Sequence, residues 1–229
     1  MKILIIGAMR VEINEILNEL KNTKVKTCGN FEFFTGNIGN VEVVLVESGI
    51  GKVMAGILIA TAFNNFIGID YVINLGVAGG YGGVKIGDII SGENYIYGDV
   101  DVTSFDKYHF GQIPRFEFPL VPEKLLFEKS MELGANPGTI CTMDRFIEND
   151  DFIKPIIDKH FNGYNIKCFD MESAAFAQSC AFYGMKFIAI RAISDIVSSK
   201  NVEESYTNNL ELASKKSSEF VIKLINNIW

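Results

Sequence analysis

The pattern of apolar residues predicts an α/β fold: a three-layer α/β/α sandwich around a twisted mixed sheet, built as one domain over residues 1–229. Three observations carry this expectation. Mostly apolar runs such as residues 2–6 and 71–75 have the length of strands buried on both faces. Between such runs lie segments whose apolar residues recur at helical spacing. Strands that alternate with helices along one chain build a sheet covered by helices.

The elements follow in order. Residues 2–6 form the first strand, and Ile13, Ile16, Leu17 and Leu20 then repeat at helical spacing. Residues 32–36 and 41–47 read as strands joined by the turn Gly36-Asn37-Ile38-Gly39-Asn40. Gly51 to Phe66 is a mostly apolar helix. Tyr71 to Leu75 is a buried strand ending in Gly76-Val77-Ala78-Gly79-Gly80, which suits a turn or close backbone approach to a ligand. Residues 88–98 read as a strand. The aromatic loop 101–118 that follows is longer than a plain connector, as functional or interfacial loops often are. Helices over 123–133 and 150–160 flank a strand near 138–143, and Lys167 to Asp170 is short and extended. Met171 to Tyr183 is a helix closed by Gly184, a usual residue just past a helix end. Lys186 to Ile193 is a strongly apolar strand, and the last helix runs over 204–227.

Composition narrows the function classes. Hydrophobic residues make up 48% of the 229 and charged residues 21%, enough to bury a large core. The net charge of −7, with no basic stripe, argues against nucleic acid, whose binding draws on phosphate neutralisation. A small substrate fits better. Cys28, Cys141, Cys168 and Cys180 form no C-x-x-C pair and read as reduced thiols. His109 and His160 are the only histidines, which excludes a histidine-rich metal site. The first apolar stretch is too short for a signal peptide, and Val53 to Phe63 is too short to span a bilayer. These features predict a soluble, cytoplasmic protein.

Ligands of α/β sheets gather beyond the carboxyl ends of the strands. Three acids fall at such ends: Glu12, Glu172 and Asp195. Each alone is explained as well by the helix dipole, or by Ser194 or Asp195 serving as a helix cap. Together they also suit cleavage of a ribosyl–purine bond. A protonated acid would neutralise the leaving base, one carboxylate would activate water, and another would hold the ribose hydroxyls. The residues leave both readings open. Ser48-Gly49-Ile50-Gly51-Lys52 follows a strand and opens a helix, but it lacks the spacing of a P-loop and reads first as a tight turn. Phe146 could stack on a purine or belong to the core.

In order along the chain stand Gly7-Ala8-Met9 with Glu12, Ser48-Gly49-Ile50-Gly51-Lys52, Asn74-x-Gly76-x-Ala78-Gly79-Gly80, Asp101-Val102-Thr103-x-Phe105 with Gly111-Gln112-x-Pro114, Phe146-Ile147, Asp170-Met171-Glu172 and Arg191-Ala192-Ile193-Ser194-Asp195. This series resembles the 5′-methylthioadenosine/S-adenosylhomocysteine nucleosidase family, within the nucleoside phosphorylase superfamily, over nearly the whole chain. The resemblance implies a nucleoside phosphorylase-like fold and hydrolysis of the two nucleosides to adenine and a 5-thioribose product, as in methionine salvage. By this resemblance Asp195 would protonate adenine N7 beside Ser194, and Glu12 would activate water. Glu172 would bind the ribose hydroxyls beside Met171, and Ala78 and Gly79 would border the substrate. Phe146 would stack on adenine while the Ile147 backbone reads its edge. Met9, Ile50 and Tyr206 would line the ribose and 5′-thio pocket, and Phe105 and Pro114 would reach the site of a neighbouring subunit. The family implies a homodimer that needs neither metal nor cofactor.

The sequence also departs from the family's pattern. Val77 stands where many relatives have Ser, Tyr206 where many have Phe, Asp170 where Glu is common, and Arg10 where an acid is common; Arg10 is expected to point to solvent. Two enzymes compete as alternatives: a purine nucleoside phosphorylase and an aminofutalosine hydrolase. The superfamily's hexameric phosphorylases have an Arg where this chain has Asn74, and Asn cannot supply that charge to a phosphate. A non-catalytic nucleoside-binding protein is the third alternative, against which the three acids count. Alternation along the last strand places residues 191, 193 and 195 on one side, with Arg191 expected to pair with Glu172 or another acid.

Overall fold

The computed structural model describes residues 1–228. Strand β1 (Lys2–Gly7) leads into helix α1 (Arg10–Glu19), then β2 (Lys21–Cys28), β3 (Phe31–Ile38) and β4 (Val41–Glu47). Helix α2 (Lys52–Asn65), β5 (Tyr71–Gly80), β6 (Ile89–Tyr97), α3 (Lys124–Glu132) and β7 (Asn136–Thr142) come next. The chain continues through α4 (Asp150–His160), β8 (Ile166–Asp170), α5 (Ser173–Phe182), β9 (Lys186–Ile196) and α6 (Val202–Ile228).

The strands form one mixed sheet in the order β2-β3-β4-β1-β5-β8-β7-β6-β9, and β9 returns to pair with β5. Strands β5, β8, β7, β6 and β9 therefore close into a ring, while β2 is left as the open edge. The period of two along β1 distributes the layers. Leu4 and Ile6 face a core built with α2 and α5, whereas Ile3 and Ile5 face one built with α1, α3 and α6. Helix α4 packs on a third cluster around Ile96, Met143, Ile147 and Phe169. Cys28, Cys141, Cys168 and Cys180 are free thiols, the last three buried.

Several boundaries differ from the sequence expectation. β2 is an exposed strand with lysines at 21, 24 and 26, and it carries no apolar alternation by which to find it. The glycine run 76–80 continues β5 rather than turning. It pairs with β9 up to Gly80, where a Cβ would stand 2.7 Å from Ile193 Cγ2. Strand β9 likewise runs on to Ile196, so neither Ser194 nor Asp195 caps a helix. Its register against β5 shifts between Ile193 and Asp195, which leaves Ser194 as the extra residue of a bulge.

The carboxyl ends of these strands are tied by one buried guanidinium. Arg191 donates from Nε and Nη2 to Asp170 Oδ2, at 3.1 and 2.7 Å, and from Nη2 to Asn74 Oδ1. Asn74 Nδ2 reaches on to the Ile6 carbonyl at 3.0 Å. Asp170 also accepts the Thr142 hydroxyl at 2.5 Å and the Ser173 N–H at 3.0 Å, and Thr142 accepts the Ala174 N–H at 2.9 Å. One network thus spans β1, β5, β7, β8, β9 and the start of α5. The partner of Arg191 is Asp170, not Glu172. Simple alternation fails for residue 195, because the bulge re-aims the chain beyond Ile193.

Breaking a buried ion pair from one side leaves a charge unpaired, which costs about 3–5 kcal/mol. Arg191→Met is expected to lower unfolding stability by that amount in denaturant titration. A change below about 1 kcal/mol would show that the pair does not hold the strand ends together.

Candidate active site

A cleft opens at the carboxyl ends of the strands and encloses about 590 Å³, including its mouth. Residues from β5, β8, β9, α6 and the segments after β1, β4 and β7 line it. Met9, Glu12, Ile50, Ala78, Gly79, Phe146, Ile147, Met171, Glu172, Ser194, Asp195 and Tyr206 all do so.

Glu12 is the third residue of α1 and its carboxylate turns back over the helix start. Oε2 accepts the N–H groups of Ala8 (2.7 Å) and Met9 (3.0 Å), and Oε1 accepts that of Val77 (3.0 Å). A Cβ on Gly76 would lie 2.6 Å from Oε1, so the glycine allows the acid to rest against β5. A carboxylate accepts about four hydrogen bonds, which leaves one open direction. Burial raises the carboxyl's pKa, while Arg191 and the three N–H groups oppose the shift.

Glu172 stands just before α5, which begins at Ser173 rather than at Met171. Its side chain does not cap that helix. It accepts the N–H of Gly51, from the segment after β4, at 2.8 Å. Gly51 has φ +99°, a conformation that favours glycine, and this aims its N–H at the acid. Burial, and then the charges of Asp170 and Glu12, push the Glu172 carboxyl up to about 7 against Arg191 and the Gly51 bond.

Asp195 follows the bulged Ser194, and the two consecutive side chains both face the cleft. Ser194 Oγ donates to Asp195 Oδ1 at 2.7 Å. Asp195 Oδ2 is buried with no hydrogen-bond partner among the described residues, and a Cβ on Gly79 would lie 3.1 Å from it. Burial raises the pKa of this carboxyl against the bond from Ser194. This carboxyl therefore holds its proton to higher pH than a free one, and Oδ2 is its oxygen without a hydrogen-bond partner.

Apolar side chains form the walls. Tyr206 packs edge-on to Phe146, with centroids 5.6 Å apart, and its hydroxyl lies 3.7 Å from Met9 Sδ. Phe146 and Ile50 remain exposed at 41% and 54%, an uncommon position for large apolar side chains unless something covers them. Phe105 and Pro114 do not line the cleft of their own chain. In their loop Phe105 is exposed, whereas Phe110 stacks on His160 and so is partly covered within the chain. Arg10 points outward over the Phe34 ring.

A model of the phosphorylase superfamily matches residues 2–226. The 5′-methylthioadenosine/S-adenosylhomocysteine nucleosidase of Bacillus subtilis (strain 168) is 35% identical, with all of both chains aligned. The chain belongs to this nucleosidase family. A crystal structure of the Neisseria meningitidis nucleosidase in complex with methylthio-immucillin-A superposes with a TM-score of 0.91, at 33% identity over 99% of each chain. The futalosine hydrolase of Helicobacter pylori shares the fold at a TM-score of 0.89 and 25% identity, over 99% of this chain and 97% of that one.

The nucleosidase cleft also contains Ala8, Val77, Arg145, Phe169 and Asp170, to which sequence reasoning gave no part in the lining. Ala8 and Asp170 stand in the motifs of the resemblance and Val77 among its departures, whereas Phe169 is legible only as a neighbour of a marked residue. The contacts of Asp170 depend on Arg191, 21 residues away in sequence.

Glu172 gives a pH signature independent of turnover. Its folded value near 7 lies above the ordinary 4.5, so the charged form opposes folding, and this penalty grows as pH rises from 4.5 through 7. Glu172→Gln keeps an acceptor for Gly51 without the charge. It should be more stable than the native protein at about pH 8, with the gap closing toward about pH 5. Denaturant titrations at the two pH values that show a pH-independent difference would refute this.

Proposed function

We propose that the chain hydrolyses the N-glycosidic bond of 5′-methylthioadenosine and S-adenosylhomocysteine, releasing adenine and the 5-thioribose product. The observation that carries this reading is the division of three acids around one cleft. Glu12 is held by three N–H groups, Glu172 is anchored to the Gly51 turn, and Asp195 is buried with a free oxygen. Adenine stacks on Phe146 with its edge at Ile147 and Ser194, and Asp195 gives its proton to N7 as the bond breaks. Glu172 accepts the ribose hydroxyls beside Met171, and Ala78 and Gly79 close on the substrate. Glu12 orients water and takes its proton, so that the water oxygen bonds to the anomeric carbon as adenine leaves. Met9, Ile50 and Tyr206 receive the 5′-thio group.

Water rather than phosphate is the nucleophile. Arg145 is the only cation among the residues lining the cleft, and it lies on the Phe146 side, over the Phe152 ring. Asn74 is spent on Arg191 and the Ile6 carbonyl, and Arg191 on Asp170. A phosphate beside Glu12 would lack a counter-charge. The likeness to a futalosine hydrolase makes aminofutalosine the substrate to compare.

The working unit is a homodimer. Val53, Ile57 and Phe63 on α2, Phe182 on α5 and Ile50 after β4 are exposed large apolar side chains, and a second copy covering them would bring Phe105 and Pro114 toward the neighbouring cleft. The reaction belongs to methionine salvage in the cytoplasm, where the four free thiols stay reduced. The whole chain acts as one nucleosidase domain and needs no metal or cofactor for these proton transfers.

Incubation with methylthioadenosine should release free 5-methylthioribose at a rate independent of phosphate. A ribose 1-phosphate as main product, or a clear preference for aminofutalosine, would overturn the reading. Glu12→Gln should lower kcat by about 10²–10⁴-fold with binding retained. Asp195→Asn should slow adenine nucleosides far more than a nitrophenyl riboside, whose leaving group needs no proton; equal losses would remove Asp195 from the acid's role. Light scattering should give twice the chain mass, and a monomer at micromolar concentration would exclude the homodimer.

A further inference from the structure

Beside the cleft, and absent from its lining, stands a cluster of one cation and two acids. Lys52 opens α2, and its Nζ lies 2.8 Å from both carboxylate oxygens of Asp99 and 3.4 Å from Asp144 Oδ2. The Lys52 backbone N–H donates to Asp144 Oδ1 at 3.1 Å, and the Asp144 N–H donates to Asp99 Oδ2 at 3.0 Å. Asp144 thus caps α2 from a distant loop, because Gly51 at the cap position has no side chain to do so. The ammonium also lies 5.4 Å from the Tyr97 ring centroid.

Three loops meet at this cluster, those following β4, β6 and β7. The residue before Lys52 is Gly51, whose N–H holds Glu172 at 2.8 Å. Two residues beyond Asp144 is Phe146, the stacking wall of the cleft. The span between the ribose side and the base side of the cleft is therefore set through Lys52, Asp99 and Asp144. Lys52, Asp99 and Asp144 are 21%, 28% and 51% exposed at the side chain, so the joint is shielded on one side only and is reached by salt.

We propose that Lys52 is a positioning residue. By joining Asp99 to Asp144 it fixes the separation of the Gly51–Glu172 wall from the Phe146 wall, and thereby the affinity for the adenine group, without touching the ligand. This rests on the reading above that adenine stacks on Phe146 with the ribose at Glu172. Small displacements of a positioned group have large effects on recognition and rate. Because adenine is uncharged near pH 7, salt has no direct charge on the ligand to screen. A salt-dependent affinity would then report the joint itself.

The test is calorimetric binding of adenine to the full chain from about 0.1 M to about 1 M salt, over which the screening length falls from about 10 Å to about 3 Å. The native protein should bind adenine more weakly as salt rises. Lys52→Met should weaken adenine binding at low salt by about tenfold, lose the salt response, and raise KM for methylthioadenosine more than it lowers kcat. Lys52→Arg should restore most of the affinity, which a general loss of stability would not predict. Asp99→Asn leaves the Lys52–Asp144 contact and should shift affinity in the same direction by less, giving a reading if Lys52→Met fails to fold. Unchanged affinity and salt response in a folded Lys52→Met or Asp99→Asn protein would overturn the proposal while native turnover stands. Failure of the native protein to bind adenine would overturn the nucleosidase reading, and the positioning role with it.

Discussion

The buried guanidinium of Arg191 is the constraint on which the carboxyl ends of the strands depend. It is paired with Asp170 and also faces the charges of Glu172 and Glu12. Burial works against its charge, and those three acids more than offset it, so Arg191 stays protonated. One cation cannot neutralise three carboxylates and the separate Asp195 as well. The surplus must be met by hydrogen bonds or by bound protons. Glu12 has the N–H groups of Ala8, Met9 and Val77, whereas Glu172 and Asp195 have fewer such bonds; burial raises all three. The acid–base character of the cleft thus comes from an excess of buried negative charge, resolved differently at each position.

Much of this was legible in the sequence, for a physical reason. Strands such as β1 are buried on both faces and therefore appear as unbroken apolar runs, while α5 announces its end with Gly184, whose φ is +66°. The resemblance marked twelve of the residues that line the cleft. Features defined by pairing left no local trace. The polar edge strand β2 takes its structure from hydrogen bonds to β3 rather than from buried side chains. The continuation of β5 through its glycines depends on β9 alongside. The bulge at Ser194 exists only in the register between two strands, so a periodicity argument about residues 191 to 195 was bound to misplace the last of them.

The fold separates the three acids of the cleft from its apolar walls. Glu12, Glu172 and Asp195 are buried and held by backbone N–H groups or by the bulge. Met9, Ile50 and Tyr206 sit at the mouth with few polar contacts, so their substitution disturbs little of the protein behind them. One fold carries relatives named for different substrates, the futalosine hydrolase among them.

Among the described residues, closing β9 onto β5 leaves the sheet one free border in the strand order, β2. A bare border strand is a template for adding further strands, and thus a route to fibrous aggregates. Here Lys21, Lys24 and Lys26 stand exposed along it, with a register irregularity between Lys21 and Lys24. An approaching strand would have to bury these cations and follow a broken ladder. Growth by strand addition is thus discouraged at the free border of the sheet among the described residues.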